Sequence, residues 1–247
     1  MLSLLIKMNS KKKMQYKMAF FVSLLGALLQ LLLFYYFWNN VFYSNSDNVS
    51  FILFSRIVYI IVGNNLVWRL SARITSGNVS LDLTKPYGFF YYELLNRLSE
   101  TIIESLTTGL ILFFGITLLE HASFSIMNIL LFILSMFLAT TICFCFDYIT
   151  SYLCLFTNST WGVSAFREGL IQLFSGALFP VSFLSQNSFV LFFFPFRYIV
   201  DIPVSILFNR GNIYHLGIFQ LIYATIILVF ARCLERGFSK KLQLQGG

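Results

Sequence analysis

The chain has 247 residues, of which 58% are hydrophobic and 19% aromatic, with 30 Phe and 4 Pro. Only 11% are charged, less than half of the roughly 25% carried by soluble proteins, and mean hydropathy is +0.79. A water-soluble enzyme, a disordered protein and a secreted disulfide scaffold are excluded, which leaves a polytopic, all-α membrane protein.

The net charge of +7 comes from 17 Lys and Arg against 10 Asp and Glu. These cations cluster at the ends of apolar runs, where a bilayer needs them, so they do not argue for nucleic acid. Cys143 and Cys145 face opposite sides of a helix, and with Cys154 and Cys233 they read as small thiols rather than a metal set. Two His make a zinc site improbable.

Residues 1–17 place a short apolar patch before Lys11, Lys12, Lys13 and Lys17. That order is the inverse of a secretory signal and fits an amphipathic helix lying on the membrane interface. A span needs about 20 apolar residues. The first runs over 18–38 and ends in the aromatic group Phe34 to Trp38. The second covers 51–70, interrupted by Arg56 and by Asn64 and Asn65. Arg56 is expected near the outer end, where it can snorkel. A polar stretch follows over 71–100.

The third and fourth spans cover 101–119 and 125–156, joined through Glu120 and His121, which read as two solvated interface residues. Asp147 falls near the end of the fourth span, where hydration is expected. The fifth span covers 163–179, stops at Pro180, and carries Arg167 and Glu168 one turn in, where hydration is likewise expected. Residues 181–212 are apolar but broken by Pro195 and Pro203 into pieces too short to cross, as in a re-entrant hairpin. Arg197 can pair there with Asp201 at i+4. The sixth span is 213–234, followed by a basic tail. Lys and Arg in the N-terminal flank, the 71–100 loop and the tail put both termini in the cytoplasm.

No phosphate-cradling G-x-x-x-x-G-K-[ST], G-x-S-x-G elbow or H-E-x-x-H occurs. The 71–100 loop carries the strongest signals. Gly77 and Asn78 mark one turn and Lys85-Pro86-Tyr87-Gly88 another. Beyond them, Glu93 and Arg97 at i,i+4 support an amphipathic helix leading into the third span. Leu81, Leu83 and the aromatics Phe89 to Tyr92 would be exposed without a cover, which makes the loop a candidate docking surface.

Residues 74–86, Ile-Thr-Ser-Gly-Asn-Val-Ser-Leu-Asp-Leu-Thr-Lys-Pro, fit the pattern I-x-x-G-x-(I/V)-x-x-x-L-x-(R/K)-P. This loop resembles that of type-2 ABC exporter permeases, in particular the small six-span permeases of the viologen-exporter-like group. A second match is Ser175-Gly176-Ala177-Leu178-Phe179-Pro180, followed by Pro195-Phe196, Pro203 and Gly211. It resembles the family's hairpin between spans five and six. Lys85 replaces the more usual Arg, and Phe179 a more usual aliphatic residue.

The resemblance implies a permease subunit of an ATP-driven exporter. Two permease chains, identical or related, would form the pathway above two separate ATP-binding-cassette ATPase subunits. The chain itself would be no enzyme and carry no cofactor; ATP and magnesium would sit on the ATPases. Gly77, Val79, Leu81, Asp82, Leu83, Lys85 and Pro86 would form the ATPase-coupling loop. Asn64, Asn65, Gln172 and Ser175 are candidates to line the pathway, or else to hydrogen-bond between helices. Gly176, Pro180, Pro195, Phe196 and Pro203 would shape the hairpin. The cargo would be amphipathic (a drug, an antimicrobial peptide or a lipid-like molecule), and the location a bacterial cytoplasmic membrane. The alternative is a secondary transporter or channel, which predicts charges deep in the spans. An intramembrane enzyme would need a deep cluster of His and acids, which two His do not supply.

Overall fold

The computed structural model describes residues 1–42, 46–75, 88–119, 124–157, 159–181 and 195–245. All regular structure among them is helical. α1 is Leu2–Gln15, α2 Lys17–Val41, α3 Ser46–Val62 and α4 Val67–Thr75. α5 is Phe89–Glu104, and a wide π turn, Ser105–Gly109, carries it into α6, Leu110–Leu119. α7 is Ile126–Ser151, α8 the short Cys154–Thr157 and α9 Thr160–Phe174. A 3₁₀ turn, Pro195–Tyr198, precedes α10, Asp201–Leu207, and α11, Ile213–Gln245, closes the chain.

Among the described residues, five helical stretches are long and apolar enough to cross a bilayer: Lys17–Val41, Asn48–Arg73, Phe89–Leu118, Ile126–Ser151 and Ile213–Glu235. The expected span over 163–179 is helical only as far as Phe174. α9 ends at Phe174, and its 15 residues reach only about 22 Å at 1.5 Å per residue. The cause is local. Gly176 adopts φ +90°, and a side chain there would press on Val181 and on Asp201. The chain turns instead, and the Ser175 carbonyl accepts a hydrogen bond from the Asp201 N–H at 3.0 Å. α5 runs from Phe89 and continues into the third span, as expected of the helix leading into it.

Burial ranks these helices. Within an 18-residue apolar window of each, 83% of residues are buried in the Asn48–Arg73 stretch, against 11% in α2 and 11% in the Ile213–Glu235 stretch. α3 and α4 therefore run through the middle of the molecule, and α2 and α11 present apolar side chains outward, as lipid-facing helices do. α7 is the central post, packing against α3, α4, α5, α9, α10 and α11. Gln220 on α11 is fully buried and bonds to Ser135 of α7 and to the Tyr198 carbonyl. Such polar contacts hold helices together where no hydrophobic effect acts between them.

α1 is helical as expected, but a polar seam attaches it. Asn9 donates to Asn96 and Ser99 of α5 at 2.9 and 2.7 Å, and the Lys13 ammonium donates to Thr107 at 2.6 Å. The Phe89 and Phe90 rings are not surface features. They are buried, and Phe90 packs edge-on to Phe144 and Tyr148. Of the hairpin, residues 182–194 lie outside the described residues. Pro180 is buried, Phe196 packs edge-on to Phe146 at 4.7 Å, and Pro203 sits in the first turn of α10, where its missing N–H costs no helical bond. Pro195 opens the 3₁₀ turn, and the expected Arg197–Asp201 pair is present at 2.9 Å.

Candidate functional site

The second span is two helices, not one. α3 ends at Val62, Gly63 to Leu66 are non-helical, and α4 begins at Val67. A helix break leaves carbonyls unpaired on one side and N–H groups on the other. In a membrane each unpaired group costs several kcal/mol. The two exposed ends also carry opposite dipole charge.

Three buried ionic side chains meet these ends with matching sign. Arg97 of α5 donates to the Val62 carbonyl at 2.6 Å, and Arg167 of α9 donates to the Gly63 carbonyl at 2.8 Å. Asp147 of α7 accepts from the Leu66 N–H at 3.2 Å. The Asn65 side chain caps α4 by accepting from the Val67 N–H at 3.1 Å. Cations thus face the C-terminal end of α3, and an anion faces the N-terminal end of α4.

Asp147 and Arg167 also bind each other. The Arg167 Nε donates to one carboxylate oxygen and Nη2 to the other at 3.0 Å, a two-pronged contact. Both side chains are 0% exposed. Arg167 reaches Glu168 at 3.0 Å and the Cys143 sulfur at 3.1 Å. Asp147 and Arg167 are therefore dry and paired, which corrects the expectation that span-end residues would be hydrated. Helix spacing explains the placement: Val163, Ser164, Arg167 and Ile171 form the buried face of α9, and Cys143 and Asp147 lie one turn apart on α7.

Glu168 anchors a second layer beside the break. It accepts from the Tyr59 hydroxyl, from Gln172 at 2.9 Å and from Asn65 at 3.4 Å. Asn65 also donates to the Ser164 hydroxyl at 2.8 Å, and Asn64 to Glu104 at 3.4 Å. The structure thus brings Asn65 and Gln172 together on one acid, while Asn64 turns towards α5. Ser175 stands apart, fully buried at the end of α9 with no hydrogen-bond partner for its hydroxyl.

The same ionic chemistry ties α4 to α5. Arg69 reaches Glu93 and Glu100 at 3.1 and 2.7 Å, and Arg73 reaches Glu93 at 2.7 Å. Glu93 and Arg97 do not form the expected pair within α5. Glu93 crosses to α4, while Arg97 goes to the helix break and to Glu100 at 3.7 Å. The clasp grips both sides of residues 76–87. Gly77, Val79, Leu81, Asp82, Leu83, Lys85 and Pro86 all fall in that segment, outside the described residues, as do Glu120 and His121.

The sequence marked the interruption at Asn64 and Asn65 but not what closes it. Asp147 and Arg167 are 20 positions apart on different helices, and the only signal was the rarity of charge inside apolar runs. Among the described residues, no group of three or more His, Cys, Asp or Glu could hold a metal ion.

Comparison with known proteins agrees with this architecture. The family model described as ABC-2 family transporter protein matches residues 21–246. No curated protein and no solved structure matches the chain. A match over nearly the whole length, on a chain whose described residues are helical and include five stretches long and apolar enough to cross a membrane, places the protein in the ABC-2 family of transporter proteins, as a multi-pass permease that works with ABC ATPase partners.

Proposed function

We propose that the chain is the membrane subunit of an ATP-driven exporter in a bacterial cytoplasmic membrane, with both termini in the cytoplasm. Two ATPase subunits, which bind ATP and magnesium, dock beneath residues 76–87. A second permease chain, identical or related, completes the pathway. The cargo is amphipathic, in keeping with spans rich in Phe. Alternating access follows the closure of the ATPases.

The observation that carries this reading is the α4–α5 clasp joined to the stitched break. Residues 76–87 are bracketed by α4 and α5, which Arg69, Arg73, Glu93 and Glu100 bind to one another. A push on the loop therefore moves both helices as a unit. α4 begins at the break, where the adjoining Leu66 N–H is bonded to α7, and through Asp147 and Arg167 to α9. The break lets α4 move without bending α3, so displacement at the loop becomes a rearrangement of the spans.

A mild-detergent pull-down of the tagged chain tests this, followed by ATPase and proteoliposome transport assays. A stoichiometric partner with a G-x-x-x-x-G-K-[ST] loop, and transport that requires ATP hydrolysis, is the expected result. Full transport by the isolated chain without ATP would sink the proposal.

The buried charges favour one second reading, an ion-driven secondary transporter, because such proteins carry charge within the spans. Here Asp147 holds two Arg167 contacts and the Leu66 N–H. An acid so fully paired is a poor proton carrier. Proton-coupled flux abolished by Asp147→Asn would favour that second reading.

A further inference from the structure

Among the described residues, Arg56 is a buried cation within a span that makes no ion pair. Arg56 lies on α3, about 12 Å along the helix axis from Asn48 and about 10 Å from Gly63, so it sits well inside the span. It is 4% exposed, which corrects the expectation that it snorkels. Its guanidinium stands 4.8 Å from the Phe34 ring of α2 and 4.8 Å from the Tyr59 ring. Nε and Nη1 are buried and have no hydrogen-bond partner.

The neighbouring acids are committed elsewhere. Glu168, whose charge acts on Arg56, is held by Tyr59, Gln172 and Arg167. Asp147 is held by Arg167 and the Leu66 N–H. Arginine stays protonated in proteins. A cation over a desolvated ring gains about 2 kcal/mol, while burying the ion costs several kcal/mol. Two rings therefore offset only part of the cost, and the N–H donors of Nε and Nη1 remain to be used. A guanidinium fork is built to bind carboxylate or phosphate oxygens in pairs.

The route to it lies beside α2. Phe34 covers the guanidinium from that helix, which packs chiefly on α3 and α1 and is otherwise exposed. Leu28, Leu32, Leu33 and Phe37 give α2 an outward apolar surface. We propose that Arg56 is an anion-recognition residue that binds the phosphate or carboxylate group of an amphipathic molecule entering between α2 and α3, with the apolar part of that molecule along α2. Phe34 and Tyr59 flank the guanidinium and keep water out. This assigns a ligand class independently of ATP coupling, so either conclusion can fail without the other.

The test compares the full chain with Arg56→Met and Arg56→Lys in dodecyl maltoside, following thermal unfolding. Dodecyl phosphate at ten times its half-saturating concentration should raise the wild-type midpoint by about 3–6 °C. Inorganic phosphate, which has no tail, should not. Arg56→Met should melt at or above the wild type without ligand and ignore dodecyl phosphate. Arg56→Lys, which keeps charge but loses the fork, should need roughly tenfold more ligand; it carries the test if Arg56→Met does not fold.

Native mass spectrometry separates the two sources of the anion. A phospholipid retained by the wild type and displaced by dodecyl phosphate supports a lipid headgroup. A lipid-free wild type that responds to dodecyl phosphate supports a free anionic cargo. Equal responses in all three proteins would overturn the proposal. So would a dimer that Arg56→Met dissociates while the anions do nothing, because the missing counterion would then be an acid of a second chain.

Discussion

Replacing Arg167 with Met tests whether the ionic stitch holds the broken span. The substitution keeps much of the volume but removes both bonds to Asp147, the bond to the Gly63 carbonyl and the contact with Glu168. Asp147 is left fully buried with the Leu66 N–H as its remaining partner. Breaking a buried ion pair from one side costs about 3–5 kcal/mol. At about 2–4 °C per kcal/mol for a chain of this size, the midpoint should fall by about 6–20 °C. Asp147→Asn is milder, because the amide oxygen still accepts from Leu66 and Arg167 keeps Glu168; about 2 kcal/mol is expected. The double variant leaves no unpaired charge at position 147, so its loss should be smaller than the sum of the singles by about 2 kcal/mol or more. Fluorescence-detected size exclusion after heating, on all four proteins in one detergent, gives the cycle. Single variants within about 2 °C of the wild type, or losses that add to within about 0.5 kcal/mol, would refute the stitch.

Three further outcomes follow from the same geometry. Glu93→Gln removes the Arg73–Glu93 ion pair and one of the two that Arg69 makes to α5; with ATPase partners bound, hydrolysis should persist while transport falls about 5-fold or more, and unchanged transport per ATP would contradict a coupling clasp. Lys85→Glu in the loop should likewise separate hydrolysis from transport while leaving co-purification of the ATPase largely intact, and normal export would remove the loop from the coupling path. Gly63→Ala places a methyl 2.6 Å from the Tyr59 carbonyl oxygen and 2.7 Å from its ring, which should cost about 2 kcal/mol. Gly26→Ala meets nothing within 4 Å inside helix α2 and should gain up to about 1 kcal/mol, so the two melting curves should shift in opposite directions.

Composition and the length of apolar runs sufficed for the class of the protein, because a bilayer demands long uncharged helices whatever their neighbours are. They located α2, the Asn48–Arg73 stretch, α7 and α11, and Asn64-Asn65 marked where the second span gives way. The 163–179 run was apolar enough for a span, yet the left-handed backbone at Gly176 and the bond from Asp201 to Ser175 ended α9 after 15 residues. Hydropathy could not register that, because it measures transfer into lipid and not where the chain turns. Loop residues 74–86 and the Pro-broken stretch carried the family resemblance, being local patterns in sequence. The pairing of charges is a different matter. Asp147 and Arg167 read as hydrated ions at span ends and Arg97 as a partner of Glu93, and only the packing of α5, α7 and α9 around the break made them partners for its free carbonyls and N–H. The same packing left Arg56 without an ion pair among the described residues. Coulomb and hydrogen-bond energies depend on distances of about 3 Å between groups far apart in sequence, and tertiary structure alone sets those distances.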